Sequence, residues 1–398
     1  MHNFTYLANT KLIFGKGTIP NIIPELKADG VTNILLLTGS NSVYKSGLYD
    51  KIVNLLNQAG ITHTTLKGVQ PNPRLSLARQ GVKLAVQVKA QAIMPIGGGS
   101  VFDTAKAVAL GACSQHDIWE LMLKHKPTKA LPIYGILTLS GTSSEGNGLF
   151  VITNDDTRDN FTFSSEHAIP KVALVDPELQ FTVPLSTVIP SGLDAMIHVL
   201  EAYFEGLDTS PVIVEHCEAY ARSIMRCLSS LRGLHNFNTL PNGLNNYDLR
   251  AELAFCSVYA HSGWASVGRK VRGDFSSHKI GHAISGLFDV THGVTLGIIM
   301  PAWMRYVYDL GLGREIFARF ASQILGLAET PGGDQALAGV EGFKDFVASL
   351  GLPTSLREVG IKEADIPKLA EYASHALPFG CVKAMDLQGI TTVLKLAL

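Results

Sequence analysis

Short apolar runs alternate with amphipathic stretches through the first half of the chain. Ile34–Thr38 runs into Gly39-Ser40, Ala92–Ile96 into Gly97-Gly98-Gly99, Leu131–Thr138 into Ser140-Gly141-Thr142, and Val172–Val175 into Asp176-Pro177. Between them, Tyr49–Gln58 and Leu75–Lys89 carry helical periodicity. Strand, turn and helix in repetition predict a parallel sheet covered on both faces. Ligands of such sheets sit at the carboxyl ends of the strands, where these polar turns fall. From about Val183 the pattern changes. Segments 191–206, 211–231, 248–267, 276–286, 313–326 and 337–350 show helix-period apolar positions and little strand pattern. Ser191 can open a helix, and Gly351 with Pro353 can close one. The chain therefore reads as a Rossmann-like α/β domain over residues 1–183, followed by an all-α domain over 184–398.

Composition narrows the function classes. At 398 residues, 46% apolar and 17% charged, the chain can bury more than one core. A net charge of -1 removes the global electrostatic case for nucleic acid or an anionic membrane. No apolar run is long enough to span a bilayer, and Met1–Tyr6 lacks the features of a signal peptide, so a cytoplasmic protein is expected. The five cysteines are scattered without CxxC spacing and read as reduced thiols.

Gly97-Gly98-Gly99-Ser100 joins a strand to a helix beginning Val101-Phe102-Asp103. Glycines there allow close backbone approach and conformations closed to other residues, and the helix turns its free N–H groups toward the loop. This is a phosphate or pyrophosphate cradle, or else only a tight turn. It is neither GxGxxG nor a P-loop. The turns Thr38–Ser42 and Thr138–Ser144 add small hydroxylated residues suited to a dinucleotide. A carboxylate after the first of these strands would take the ribose hydroxyls and repel a 2′-phosphate. Gly39, Ser40 and Ser42 stand there instead, with Lys45 nearby, which favours NADP over NAD.

Asp194 and His198 are four residues apart and share a helix face beside the apolar stripe Leu193, Met196, Ile197, Leu200 and Phe204. A buried carboxylate needs a partner, and a cation is one. His278 and His282 form another such pair, and His292 follows ten residues after His282. Of 13 histidines, these three fall within 278–292. One Asp with up to three His suits Fe(II) or Zn(II). His282 is the spare: a ligand in place of a neighbour, an orienting group, or a proton relay. His63, His116, His125 and His167 read as surface residues, and Met300, Trp303 and Met304 as core.

Taken in order, Gly97–Lys106, Gly141-Thr142-Ser143-Ser144-Glu145, Asp194-xxx-His198 and His278-xxx-His282 with His292-Gly293 resemble the iron-containing (group III) alcohol dehydrogenases. Ile13–Gly17 and Pro71-Asn72-Pro73 fit as well, so the resemblance spans nearly the whole chain. The branch it is most similar to is that of the NADP-linked butanol dehydrogenases and broad aldehyde reductases. The resemblance implies a dinucleotide domain, a helical domain and a cleft holding metal and nicotinamide. It implies Asp194, His198, His278 and His292 as metal ligands, with His282 beside the nicotinamide. Gly98, Gly99 and Ser100 would hold the pyrophosphate, and Asp103, in the same motif, would be among the cofactor-binding residues. Thr138, Thr142 and Asn147 would line the nicotinamide side, and Asn72 the adenosine half. At Asn160 many members of the family carry a lysine that touches the cofactor, which puts that one contact in doubt.

The expected reaction is hydride transfer between nicotinamide C4 and an aldehyde carbonyl polarised by the metal. A homodimer acting on a small alcohol or aldehyde is implied by resemblance alone. A dehydroquinate-synthase-like lyase and a metal-binding relative without activity are the alternatives. The first would need a dense Lys and Arg set near the histidines, which is absent from the sequence. Gly268–Asp274 is basic and reads as a solvated loop, with a pocket for an anionic aldehyde as the second reading.

Overall fold

A computed structural model describes residues 1–233, 246–329 and 331–398. The chain divides into two compact units, Leu7–Val183 and Pro184–Leu398, the second also taking in Met1–Tyr6. The first six residues thus leave the α/β unit: the His2 amide donates to the Gly268 carbonyl, and Tyr6 packs edge-on against Trp264.

The α/β unit holds β1 (Lys11–Phe14), α1 (Ile22–Ala28), β2 (Asn33–Gly39), α2 (Ser42–Lys45), α3 (Leu48–Gln58), β3 (Thr62–Val69), α4 (Leu75–Gln87), β4 (Ala92–Gly97), α5 (Gly99–Gly111), α6 (Ile118–Lys124), β5 (Tyr134–Leu137), β6 (Leu149–Thr153), β7 (Asn160–Ser164) and β8 (Val172–Val175). Six strands form a parallel sheet in the order β1-β8-β5-β4-β2-β3, while β6 and β7 pair as an antiparallel hairpin. The apolar runs read from the sequence are the inner strands. Ile34 and Leu36 pack on one face and Leu35 and Leu37 on the other, which is why the run is continuous rather than alternating. After β3 the chain crosses β2 to form β4 on its far side, so the sheet reverses its winding between β2 and β4. The turns at 39–42 and 97–100 flank that switch point, the preferred ligand position in such sheets.

The second unit contains α7 (Leu185–Tyr203), α8 (Pro211–Gly233), α9 (Asn246–Ala260), α10 (Ser276–Phe288), α11 (His292–Asp309), α12 (Arg314–Gln323), α13 (Gln335–Ser349), α14 (Ile366–Ser374) and α15 (Leu387–Leu396). No strand occurs among its described residues. Ser191 does not open a helix as the sequence suggested. The helix starts at Leu185 after Pro184 and runs through Pro190, whose missing N–H leaves only the Ser186 carbonyl without its helical donor. Gly351 does close α13, with φ at 72°. Trp303, Met300 and Met304 are fully buried, as core should be, whereas His63 is half-buried on edge strand β3 rather than exposed. No described helix is long and apolar enough to cross a membrane.

Candidate metal centre and nucleotide loops

On α7, Asp194, His198 and Glu201 occupy positions i, i+4 and i+7, one face of the helix. All three are buried, as is His278 on α10. His292 is the first residue of α11. It is brought against Asp194 because Gly293 lets α11 touch α7 at Pro190: a Cβ on Gly293 would lie 2.0 Å from the Pro190 carbonyl oxygen. Ligand atoms of Asp194, His278 and His292 lie within 4.8 Å of one another. His198 is outside that closest set but adjoins it. Its Nδ1 lies 3.0 Å from the Asp194 carbonyl and 3.3 Å from Asp194 Oδ1, and its ring is 4.1 Å from that of His278. His282 lies at 4.5 Å from His292, ring to ring, and both are half-buried.

The polar bookkeeping of this cluster is incomplete without a cation. Asp194 Oδ1 has two imidazole nitrogens at 3.3 Å, longer than a good hydrogen bond. His292 Nδ1 is buried with no hydrogen-bond partner. Burial disfavours the His278 imidazolium, yet the Glu201 and Asp194 carboxylates outweigh it and push its pKa up to about 9. Burial, opposed by Asp194, takes His292 down to about 4. Burial and the neighbouring histidines hold His198 well below the ordinary imidazole value, as do burial, His292, Lys279 and His278 for His282. A proton on His278 therefore stands where a divalent ion would satisfy one carboxylate and several neutral rings together. One oxygen and two or three imidazoles fit Fe(II) or Zn(II).

Two residues of this cluster were missed in the sequence. Glu201 holds His278, with Nδ1 at 2.5 Å from its Oε2. Its signal was present as the i+7 member of the Asp194–His198 face. His261 stacks on His198 at 4.2 Å, and no local spacing announces it. The basic segment is solvated only at its centre: Lys270, Val271 and Arg272 are exposed, while Gly268, Arg269 and Asp274 are buried, and Arg269 donates to the Ala265 and Gly206 carbonyls.

In the α/β unit, Gly98 caps α5 without any side-chain hydrogen bond, leaving the helix N-terminus available to an anion. None of Gly97, Gly98 and Gly99 has positive φ, so their value is not the conformational freedom expected of them. It is room: a Cβ on Gly97 would lie 2.4 Å from Val101 Cγ2, and one on Gly99 2.3 Å from Thr142 Oγ1. Gly99 thereby lets the turn after β5 close onto the loop after β4. Asp103 anchors that turn from below, accepting from Ser144 Oγ at 2.6 Å and the Val151 amide at 3.0 Å. Lys106, fully buried, donates to Ser144 Oγ, Asn147 Oδ1 and the Leu149 carbonyl. Burial lowers Lys106 to about 8 and raises Glu145 to about 7. Asp103 and Asn147 thus use side-chain oxygens within the protein. Thr138 donates its amide to the Gly97 carbonyl, and Asn72 sits left-handed, φ 54°, in the turn before α4. Asn160 Nδ2 donates to Thr153 Oγ1 across the hairpin. Gly39 ends β2, and Ser40 and Ser42 are exposed beyond it.

Residues 9–177 match the profile of the iron-containing alcohol dehydrogenases, and residues 188–398 that of the C-terminal domain of the same family. The chain is 35% identical, over 401 residues and 100% of both chains, to a probable NADH-dependent butanol dehydrogenase 1 of Bacillus subtilis. It is 29% identical over 376 residues to the NADPH-dependent aldehyde reductase YqhD of Escherichia coli, covering 93% of this chain and 92% of that one. The crystal structure of NADH-dependent butanol dehydrogenase A from Thermotoga maritima superposes with a TM-score of 0.93 at 37% identity, covering 100% of this chain and 99% of the other. Two matched halves and an end-to-end relative leave one assignment: the chain belongs to the iron-containing alcohol dehydrogenase family.

Proposed function

We propose that Asp194, His198, His278 and His292 hold a divalent ion, Fe(II) or Zn(II), and that the enzyme reduces small aldehydes with NADPH in preference to NADH. The observation that carries the ligand reading is the convergence of Asp194, His278 and His292 within 4.8 Å around an under-bonded carboxylate. When bound, the ion would polarise the aldehyde carbonyl and the nicotinamide would supply the hydride. The protein's part is to fix and insulate. Asp194 supplies charge and the neutral rings supply nitrogen lone pairs. His282, a neutral ring beside His292, passes a proton by accepting at one nitrogen while releasing at the other. Gly98, Gly99 and Ser100 offer the pyrophosphate backbone amides. Thr138, Thr142 and Asn147 line the nicotinamide side, on the turn that Asp103 and Lys106 anchor, and Asn72 lies toward the adenosine half, with Asn160 a further cofactor contact.

Chelation should abolish NADPH-dependent aldehyde reduction, and anaerobic Fe(II) should restore it. Protein that keeps full activity after its metal is stripped would overturn the reading. Loading should also depend on pH in a defined direction. An ion on His278 Nε2 must displace the proton held there in the metal-free protein, whereas His292 and His198 are already neutral. Metal affinity should therefore rise about tenfold per pH unit up to a plateau near pH 9, a single-proton slope measurable by competition titration.

Support for NADPH comes from the loop after β2, where no carboxylate stands from Gly39 to Lys45. Of the named relatives, the Bacillus and Thermotoga proteins, at 35% and 37% identity, are named for NADH, and the Escherichia coli one, at 29%, for NADPH. Gly39 has negative φ, and a Cβ there would make only ordinary contact, 3.6 Å from the Val69 carbonyl oxygen. Gly39→Asp should fold normally and lower kcat/KM for NADPH by about tenfold or more, ~1.4 kcal/mol of phosphate repulsion, with NADH changed much less. Equal losses with both cofactors would place the 2′-phosphate elsewhere.

A further inference from the structure

One buried acid at the ion site belongs to neither the ligand set nor the proton path. Glu201 is 1% exposed and lies one helical turn beyond His198 on the face that carries Asp194. Its carboxylate binds a single residue twice. Oε2 takes His278 Nδ1 at 2.5 Å, and Oε1 accepts the His278 backbone N–H at 3.2 Å. His278 is the third residue of α10, whose N-cap Phe275 is left-handed and provides no side-chain cap. Glu201 therefore supplies from α7 the acceptor that a capping residue would give, at the helix end where negative charge is favoured. Its own carbonyl accepts from the Asp274 amide at 3.1 Å, so main chain and side chain of one residue grip the 274–278 turn.

We propose that Glu201 is a positioning residue for the metal, and this rests on the ligand reading above. It holds the His278 proton on Nδ1 and so presents Nε2, which lies 3.3 Å from Asp194 Oδ1. It also supplies the second negative charge of the cluster. With Asp194 it balances a dication that three neutral rings alone would leave uncompensated in a buried site. A carboxylate kept for packing would have no need of both bonds to the same histidine.

The test uses the full-length, metal-free protein titrated anaerobically with Co(II), read by its visible spectrum. Glu201→Gln keeps the volume and one acceptor oxygen but removes the charge and the second acceptor. The variant should bind Co(II) about 10- to 100-fold more weakly, with a shifted ligand-field band and unchanged far-UV circular dichroism. Equal affinity and an identical spectrum would refute the role of Glu201. If the wild-type protein itself takes up no stoichiometric Co(II), the ligand assignment fails, and this proposal with it. Should the variant not fold, the wild type decides. Ring ¹⁵N shifts of the Zn(II)-loaded protein should show His278 protonated at Nδ1, and protonation at Nε2 would overturn the proposal.

Discussion

Asp194→Ala is expected to abolish metal retention and to lower aldehyde reduction by about three orders of magnitude or more. Asp194 is the one carboxylate among the proposed ligands, and its Oδ1 is shared by nitrogens of His198 and His278 at 3.3 Å each. Two unit charges about 4 Å apart at an effective dielectric of about 20 attract by ~4 kcal/mol, roughly a thousandfold in binding, and a dication gains more before desolvation is counted. No neighbour can substitute, because Glu201 already serves His278 with both oxygens. The measurement pairs elemental analysis with NADPH oxidation. His282→Asn provides the contrast: metal content should stay at the wild-type level while turnover falls about 100-fold, the usual weight of a proton-transfer group. An Asp194→Ala protein with full metal and full turnover would remove the chemical basis of the site. A His282→Asn protein lacking metal would make that ring a ligand instead of a relay.

What the sequence disclosed follows from how each segment is solvated. Strands β2 and β4 were legible because they are buried on both faces, and burial leaves an uninterrupted apolar run. Strand β3 was not, because it lies at the sheet edge, where Thr62, His63, Thr64 and Thr65 need not be apolar. Hairpin β6–β7 stands apart from the main sheet and was missed although Leu149–Ile152 is an apolar run, because its antiparallel pairing breaks the strand, turn and helix repeat of the parallel sheet. The start of α7 was misplaced because Pro190 and Ser191 mimic a helix entrance, and local chemistry cannot show that only one backbone bond is lost. At the proposed ion site, spacing on one helix was readable, so Asp194 and His198 were singled out. Glu201 shared that face and was overlooked because a glutamate on a helix is ordinarily solvated. His261 reaches the cluster through tertiary packing alone. The glycines of the 97–99 loop were seen, but for a reason that differs from the structural one: they make room for Val101 and Thr142 rather than adopt left-handed backbone.

Gly293→Ala should destabilise the helical unit and also empty the metal site, although the residue carries no chemistry. Its Cβ would lie 2.0 Å from the Pro190 carbonyl oxygen, 2.5 Å from the carbonyl carbon and 3.1 Å from Pro190 Cα, all backbone atoms that cannot rotate away. Relief requires α11 to withdraw from α7 by about 1 Å, an overpacking strain of ~1–3 kcal/mol. His292 is the adjacent residue and moves with it, away from Asp194. Coordination tolerates errors of only about 0.2 Å, so a shift of that size should weaken metal binding by at least about tenfold. Gly297, one turn further along α11, sets the comparison. A Cβ there would meet Leu193 Cδ2 at 3.0 Å and Val347 Cγ1 at 3.1 Å, both side-chain ends that can repack. Gly297→Ala should therefore cost less than ~1.5 kcal/mol and leave metal affinity unchanged. Thermal melts and Co(II) titrations of the two variants separate the outcomes. Equal affinities for both would mean that α11 can retreat without carrying His292 with it, and the close contact at Pro190 would then have no part in building the site.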